Sequence, residues 1–308
     1  MLALVADPAA PERLALREAA EPAPGPGTPV VAVEAVALNR GEVNRLATAV
    51  DGWRPGWDLA GTIAVAASDG RGPDVGARVV GLLPEGMGWA ERAAVPATHL
   101  AVLPDTLETV QAAALPVAGL TALRTLRIGG LLLDRRVLIT GAAGGVGRFA
   151  IQLARRSGAD VTAVVGRPER GAGLRELGAD RVVLGIEAAE GPFDLVLDAA
   201  GGSSLAAALA LVGTGGTVVT YGNSAREPST FVVNDFYTTW GVSLRGFFLL
   251  ADAGREPPAV DLGHLAQLVA DRRLDPQVAL VTDWRDADRA LRSLRERRVP
   301  GKAILRVG

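Results

Sequence analysis

The chain contains no cysteine, two histidines (His99 and His264), two tyrosines (Tyr221 and Tyr237) and a single lysine, Lys302, so arginine supplies almost all of its positive charge. Without cysteine there are no disulfides, and nothing in the composition points to secretion. An excess of charge of one sign is also missing. Lys and Arg number 32 against 34 Asp and Glu, a net charge of −2 with no basic run, which argues against nucleic acid as a partner. No apolar run approaches the roughly 18 residues that span a bilayer. The opening MLALVA is too short for a signal-peptide core and meets Asp7 at once. These absences predict a soluble, cytoplasmic protein with no membrane partner.

With 308 residues, 49% of them apolar, the chain is long enough for two domains. Residues 1–112 carry short runs (Val30 to Val36, Gly61 to Ala66, Arg78 to Leu83, Ala101 to Leu103) between Gly- and Pro-rich breaks such as Glu21 to Pro29, as a β-rich domain would. From Ala113 the rhythm becomes strand, helix, strand, with strands at Val137–Thr140, Val161–Val165, Arg181–Leu184, Leu195–Asp198, Thr217–Thr220 and Val242–Arg245. Helices in most of the gaps predict a doubly wound parallel sheet over 113–248. A helix from Leu262, a charged helix near Arg285 to Arg297 and a strand at Ala303 to Val307 close the chain. They would complete the first domain from 249 to 308.

The stretch Leu138 to Arg155, LITGAAGGVGRFAIQLAR, places a Gly-rich turn between a strand and an amphipathic helix. Ala142, Gly144 and Gly147 hold the G-x-G-x-x-G spacing, with Ala in the first place. Lack of a Cβ at Gly144 would let a pyrophosphate approach the backbone, and Gly147 would let the helix pack on its strand. The amides around Gly145 and Val146, at the positive end of the helix, would face the phosphates. An NAD site places Asp or Glu at the tip of the second strand, about 20 residues on. Here the strand ends in Gly166-Arg167, and Arg167 and Arg170 flank the position of a 2′-phosphate, with Glu169 past the strand end. Guanidinium groups suit phosphate, so the expected cofactor is NADPH.

Further segments follow in a recognisable order: ALNRGEV (Ala37 to Val43), PGWDLAG (Pro55 to Gly61), GWAERAAVPA (Gly88 to Ala97), ALPVAGLTA (Ala114 to Ala122), YGNSA (Tyr221 to Ala225) and PGKAIL (Pro300 to Leu305). Together with Gly144, Gly145, Gly147, Gln152 and Arg155, these resemble the medium-chain dehydrogenase/reductase superfamily, and within it the zinc-free quinone oxidoreductases related to ζ-crystallin. Arg135 departs from that pattern. The resemblance implies an α/β fold: a Rossmann domain plus a discontinuous, β-rich, GroES-like catalytic domain, with a cleft between them. It also implies a homodimer through the edge near Val242 to Phe247. Tyr221, Gly222 and Asn223, with Phe247 and Phe248 at another strand end, join the expected cofactor contacts.

Zinc relatives carry Gly-His-Glu where this chain reads Gly56-Trp57-Asp58, and no Cys is present to ligate metal, so no metal is expected. The remaining chemistry is hydride transfer from NADPH to a quinone, or to a C=C bond conjugated to a carbonyl, which can delocalise the incoming charge. Two other readings stand beside it: an enoyl-thioester reductase acting in trans on polyketide or fatty-acyl chains, and a noncatalytic NADPH-binding protein. Asn39 is the leading contact for the acceptor or nicotinamide, against a turn-forming role before Gly41. Thr121 would touch the nicotinamide edge or cap the following helix. Trp53, Trp57 and Trp89 would line a pocket for a planar, bulky small-molecule acceptor, against a core role for each. No Tyr precedes residue 221, which leaves solvent as the proton source.

Overall fold

β-Branched runs fold as strands where their alternate residues find a second layer to bury against. The computed structural model describes residues 1–308 except for the side chain of Asp235. Two units form, Met1–Leu120 with Leu249–Gly308, and Thr121–Phe248. In the first stretch lie strands β1 (Leu2–Ala6), β2 (Leu14–Glu18), β3 (Val30–Leu38), β4 (Asp58–Val65), β5 (Arg78–Leu82), β6 (Arg92–Ala94) and β7 (Leu100–Val102). Helices α1 (Arg40–Leu46), α2 (Thr109–Ala112) and α3 (Pro116–Ile128) accompany them. The second unit runs β8 (Arg136–Ile139), α4 (Gly145–Arg156), β9 (Asp160–Val165), β10 (Arg181–Leu184), β11 (Phe193–Asp198), α5 (Gly202–Leu211), β12 (Val212–Thr220), α6 (Val233–Tyr237) and β13 (Ser243–Gly246). The chain then returns through α7 (Leu249–Asp252), α8 (Ala259–Ala270), β14 (Val278–Asp283), α9 (Ala287–Arg295) and β15 (Lys302–Arg306).

In the first unit β3 is the hub, pairing antiparallel with β4, β6 and β15 in a sheet ordered β14-β15-β3-β4-β5-β7. Its inward residues Val31, Val33, Val36 and Leu38 join Leu59, Ile63, Val79, Trp89, Trp284 and Leu305 in one core. α9 seals that core with Ala287, Ala290 and Leu291, while its arginines at 289, 292 and 295 face outward. Strands β1, β2, β6 and β14 lie outside the sequence expectation. β6 reads Arg-Ala-Ala and has no β-branched residue. It is a strand because β3 offers it an edge, a tertiary cause that local pattern does not carry.

The second unit is a six-stranded parallel sheet ordered β10-β9-β8-β11-β12-β13. Strand order reverses between β8 and β11, the switch point at which doubly wound sheets open a crevice. The central strands are buried on both faces (Val137, Leu138, Ile139, Val161, Ala163, Val196, Leu197), as parallel strands flanked by helices must be. α4 packs Phe149, Ala150, Leu153 and Ala154 inward. Helices join β8 to β9, β11 to β12 and β12 to β13. The links on either side of β10 are built from 3-10 turns at Pro168–Gly171 and Ile186–Ala188 instead. Pro168 with Gly171, Gly173 and Gly178 keeps an α-helix from propagating there. The first unit boundary falls inside α3, a few residues beyond the change of texture at 112. Among the described residues no helix is long and apolar enough to cross a membrane.

Gly147 shows how tightly α4 seats. A Cβ there would stand 2.6 Å from the Cα and O of Ala142, backbone that cannot yield without moving the turn. Gly147→Ala is expected to cost about 1–3 kcal/mol of stability. Denaturant unfolding of the second unit with an unchanged midpoint would show that the turn relaxes freely.

Candidate functional site

The crevice of the second unit is built at the carboxyl ends of its strands. After β8 the chain turns at Gly141, with φ +60°, and Gly144 caps α4 from an extended conformation. The first-turn amides of a helix have no carbonyl one turn back, so α4 presents N–H groups and the positive end of its dipole at the turn. A Cβ on Gly144 would meet only the Gly141 oxygen, at 3.3 Å, with nothing else within 4 Å. Internal packing therefore presses on Gly144 at one backbone oxygen only, whereas it fills the space over Gly147. The fingerprint glycines have different physical duties.

The switch point is bolted by a pair that the motif does not reveal. Thr140 Oγ1 donates to Asp198 Oδ1 at 2.8 Å and accepts from Ala199 N–H at 3.0 Å. Asp198 Oδ2 accepts from Gly201 N–H at 2.9 Å. Asp198 is fully buried, with both oxygens occupied. At the end of β9, Gly166 opens onto free space and Arg167 is exposed. Arg170, half-buried, donates from Nη2 to Ala143 O at 3.3 Å and so lies against the Gly-rich turn. Arg148, on the first turns of α4, donates to Ala172 O at 3.0 Å and ties that helix to the same loop. No carboxylate stands at the strand tip, and Glu169 is exposed.

Tyr221 follows β12, and its hydroxyl is buried with no hydrogen-bond partner among the described residues. Burial, and then the charge of Asp198, push the phenol above its ordinary range, so it keeps its proton. Gly222 is half-buried, and the exposed Asn223 accepts from Arg226 N–H at 3.0 Å. Phe247 is half-buried and Phe248 exposed. Thr121 departs from the expectation of a helix cap. It lies inside α3 rather than before a helix, nearly buried, with its carbonyl accepting from Thr125 Oγ1 at 2.7 Å.

The first unit holds a buried polar knot around Asn39. Asn39 Nδ2 donates to Glu42 Oε2 at 3.1 Å and to Asp58 Oδ2 at 2.9 Å, while Lys302 Nζ donates to Asn39 Oδ1 at 2.7 Å. Lys302 also reaches Asp58 Oδ2 at 3.2 Å and Leu38 O at 3.4 Å. Glu42 accepts through Oε1 from Gly56 N–H and Trp57 N–H, and through Oε2 from Asn39 N–H, closing a capping box on α1. Asp58 Oδ1 accepts from Val117 N–H at the start of α3. The expectation that Asn39 offers its amide to an acceptor needs correction. Both amide hydrogens and the carbonyl are engaged inside the knot, so the local, turn-forming role is the one its contacts express. Glu42 and Lys302, absent from the sequence-based candidates, prove to be its partners.

Two carboxylates and one ammonium are together in this knot, and all are nearly inaccessible. Burial first, and the Asp58 carboxylate second, push the Glu42 carboxyl up to about 8, against the pull of Trp57 N–H, Asn39 and Lys302. Burial also raises Asp58, opposed chiefly by the Lys302 charge.

The three tryptophans separate. Trp89 is 1% exposed and belongs to the hydrophobic core, so its place in a ligand pocket is corrected to the core role. Trp53 packs on the edge of that core under the Arg45 guanidinium, 4.6 Å from the ring centroid. Trp57 is 9% exposed and lies against Gly41, where a Cβ would come within 2.7 Å of its ring. His99 Nδ1 rests 3.2 Å from Leu82 O, a local contact.

The family model described as zinc-binding dehydrogenase matches residues 145–264. Acrylyl-CoA reductase AcuI of Ruegeria pomeroyi is 33% identical over 247 residues, covering 74% of this chain and 72% of that protein. A solved quinone oxidoreductase from Coxiella burnetii superposes with TM-score 0.86 at 25% identity, over 100% of this chain and 99% of that one. The chain belongs to the medium-chain dehydrogenase/reductase superfamily, in its quinone-oxidoreductase-like branch. The spectinabilin polyketide synthase protein NorB of Streptomyces orinoci is 35% identical over 299 residues, or 94% of this chain. The chain spans 13% of NorB, and 4% and 10% of two further polyketide synthases that it matches.

The family name implies zinc, and the residues here do not fit it. Tetrahedral zinc of this type needs Cys and His ligands. The chain has no Cys, and among the described residues no three His, Cys, Asp or Glu side chains gather as a metal site needs. The adjacent carboxylates, Glu42 and Asp58, are filled by N–H donors and the Lys302 ammonium.

The raised Glu42 gives a pH prediction. Between about 4.5 and about 8 the folded chain holds a proton that the unfolded chain has released, so this group's contribution to stability falls as pH rises through that window. Relative to Glu42→Gln, wild type should lose more than about 1.4 kcal/mol between the two limits. Denaturant midpoints across pH check this, and a widening wild-type advantage would mean that the native carboxyl is ionised throughout.

Proposed function

We propose that the chain is a metal-independent, NADPH-dependent reductase that delivers hydride to a C=C bond conjugated to a carbonyl, or to a quinone. The observation that carries this reading is the crevice at Gly144. Packing crowds it far less than Gly147, it lies at the start of α4, Arg170 rests against its turn, and Arg167 follows the strand tip where an NAD site would place a carboxylate. Gly144, Gly145 and Val146 would hold the pyrophosphate, and Arg167 and Arg170 the 2′-phosphate. Tyr221, Gly222 and Asn223, with Phe247 and Phe248, would border the rest. When bound, NADPH supplies the hydride.

The first unit restricts the acceptor. Its single lysine is buried and paired, it has no tyrosine, and the buried acids Glu42 and Asp58 have both oxygens bonded. A substrate that needed strong electrophilic or acid assistance would find little of it there, whereas a conjugated system carries its own electron sink and takes its proton from solvent. Enoyl thioesters are the preferred subclass, supported by the likeness to the acrylyl-CoA reductase, and quinones come second through the Coxiella likeness.

Steady-state NADPH oxidation against enoyl thioesters, enones and ortho- and para-quinones tests the reading, with turnover expected on at least one conjugated class. NADPH should be preferred to NADH at least tenfold, about 1.4 kcal/mol. Arg167→Ala with Arg170→Ala should remove that preference while leaving NADH binding nearly unchanged. Cofactor binding with no oxidation under any acceptor would instead identify a noncatalytic binding protein.

A second copy of the chain is the proposed partner. β13 is the free edge of its sheet, and Tyr237 (66%), Trp240 (78%) and Phe248 (64%) are exposed nearby in sequence. Light scattering at micromolar concentration should give a dimer, and Trp240→Glu a monomer. A monomeric wild type would remove this proposal.

A further inference from the structure

Lys302 is the only lysine among 32 basic residues, in a chain where arginine fills every other cationic position. It is 3% exposed and converges on three acceptors: Leu38 O, Asn39 Oδ1 and Asp58 Oδ2. A compact ammonium can aim three N–H bonds at acceptors gathered around one point. A planar guanidinium spreads its donors in a fork and needs more room. Through these acceptors Lys302 reaches segments far apart in sequence. Asn39 starts α1, Glu42 accepts from the backbone of Gly56 and Trp57, and Asp58 accepts from the start of α3. Trp57 is in turn seated against Gly41.

We propose that Lys302 is a positioning residue for acceptor binding. Its ammonium sets the register of the Asn39–Glu42 and Gly56–Asp58 segments and so the placement of the Trp57 indole, and the site requires a lysine rather than an arginine. The inference rests on the proposed function and on the expectation that Trp57 lines the acceptor pocket.

Because the chain has no cysteine, Lys302→Cys creates a unique thiol, which can be alkylated in the unfolded chain before refolding. 2-Bromoethylamine converts it to an aminoethyl thioether with the length and charge of lysine. 1-Bromopropane gives a neutral thioether of similar length. The Cys and propyl forms, together with Lys302→Arg, should raise the acceptor KM at least about tenfold while dinucleotide Kd stays within about twofold. The aminoethyl form should recover most of the loss. The Trp57 indole N–H resonance, assigned with Trp57→Phe, should move in the Cys and propyl forms and return with the amine.

Equal recovery by propylation would reduce Lys302 to packing and overturn the proposal. So would an unchanged KM, full activity of Lys302→Arg, or a resonance that never moves. Should the Cys forms not refold, Asp58→Asn, which keeps the lysine but removes its ion pair, must show the same KM split and indole shift, and their absence would overturn the proposal. A wild type inactive on every acceptor would sink the proposed function, while the indole resonance would still decide the positioning role.

Discussion

The first unit is organised by a need to keep charge out of water without leaving it unpaired. Withdrawing an ion from solvent costs several kcal/mol, and the cost is tolerable only when every oxygen and every proton finds a partner. Lys302, Asp58, Glu42 and Asn39 meet that condition collectively. Each relies on the others, so removing one leaves an uncompensated charge or donor in the interior. The knot joins the end of β3, the start of β4, the starts of α1 and α3 and the first residue of β15. α1, with 7 residues, is too short to hold itself. It persists because Glu42 closes its first turn while bonding the backbone of the adjacent Gly56-Trp57 segment.

The second unit solves its central problem by leaving atoms out. Gly147 has no Cβ, so α4 can lie on the Ala142 backbone, and Gly144 has only the Gly141 oxygen near the place of a Cβ. The Thr140–Asp198 pair then holds β8 and β11 together at the switch point, where a parallel sheet has the least lateral support from crossover helices. Arg148 and Arg170 draw the loop after β9 against the same turn. Under the proposed function, a turn tied down in this way before a dinucleotide binds would lower the entropic cost of binding.

What sequence reading could reach follows from the range of each interaction. The Gly-rich turn, α4 and the strands beside it are encoded within a few consecutive residues, and their positions are visible as spacing. The order of the segments carried the fold, since doubly wound sheets and their discontinuous companions leave a linear trace. Asn39 was legible as a notable residue with a turn-forming role among its two readings, but its partners Asp58 and Lys302, 19 and 263 positions away, were not. Glu42 was hidden by an ordinary identity, an acid on a short helix, although its spacing of three from Asn39 is a capping-box signal. Trp89 and Trp57 read alike in the sequence and are both buried, Trp89 within the core cluster and Trp57 against Gly41, a distinction that only packing makes. β6 borrows its strand character from β3, whereas β14, Val-Ala-Leu-Val-Thr-Asp, carries β-branched residues of its own. For Lys302 one signal did exist: a lone lysine in an arginine-rich chain is a substitution that the composition resists, and such resistance points to geometry.

Under the proposed function, the poverty of this donor set selects the substrate. A zinc ion would polarise a carbonyl with two positive charges and open coordination positions. The charge that occupies the corresponding part of this chain is a single ammonium whose bonds go to Asn39, Asp58 and Leu38, so it has little left to offer a developing oxyanion. Glu42 is enclosed by the N–H groups it accepts from and has no exposed face. Electrophilic activation must therefore come from the acceptor itself. A thioester or ketone conjugated to the reacting double bond supplies it by spreading charge onto its own oxygen, and a quinone does the same while gaining aromaticity. The knot then contributes shape rather than acidity. That division, geometry from the protein and electron demand from the acceptor, accounts for a reductase site that holds neither the metal ligands nor the tyrosine its chemistry would otherwise require.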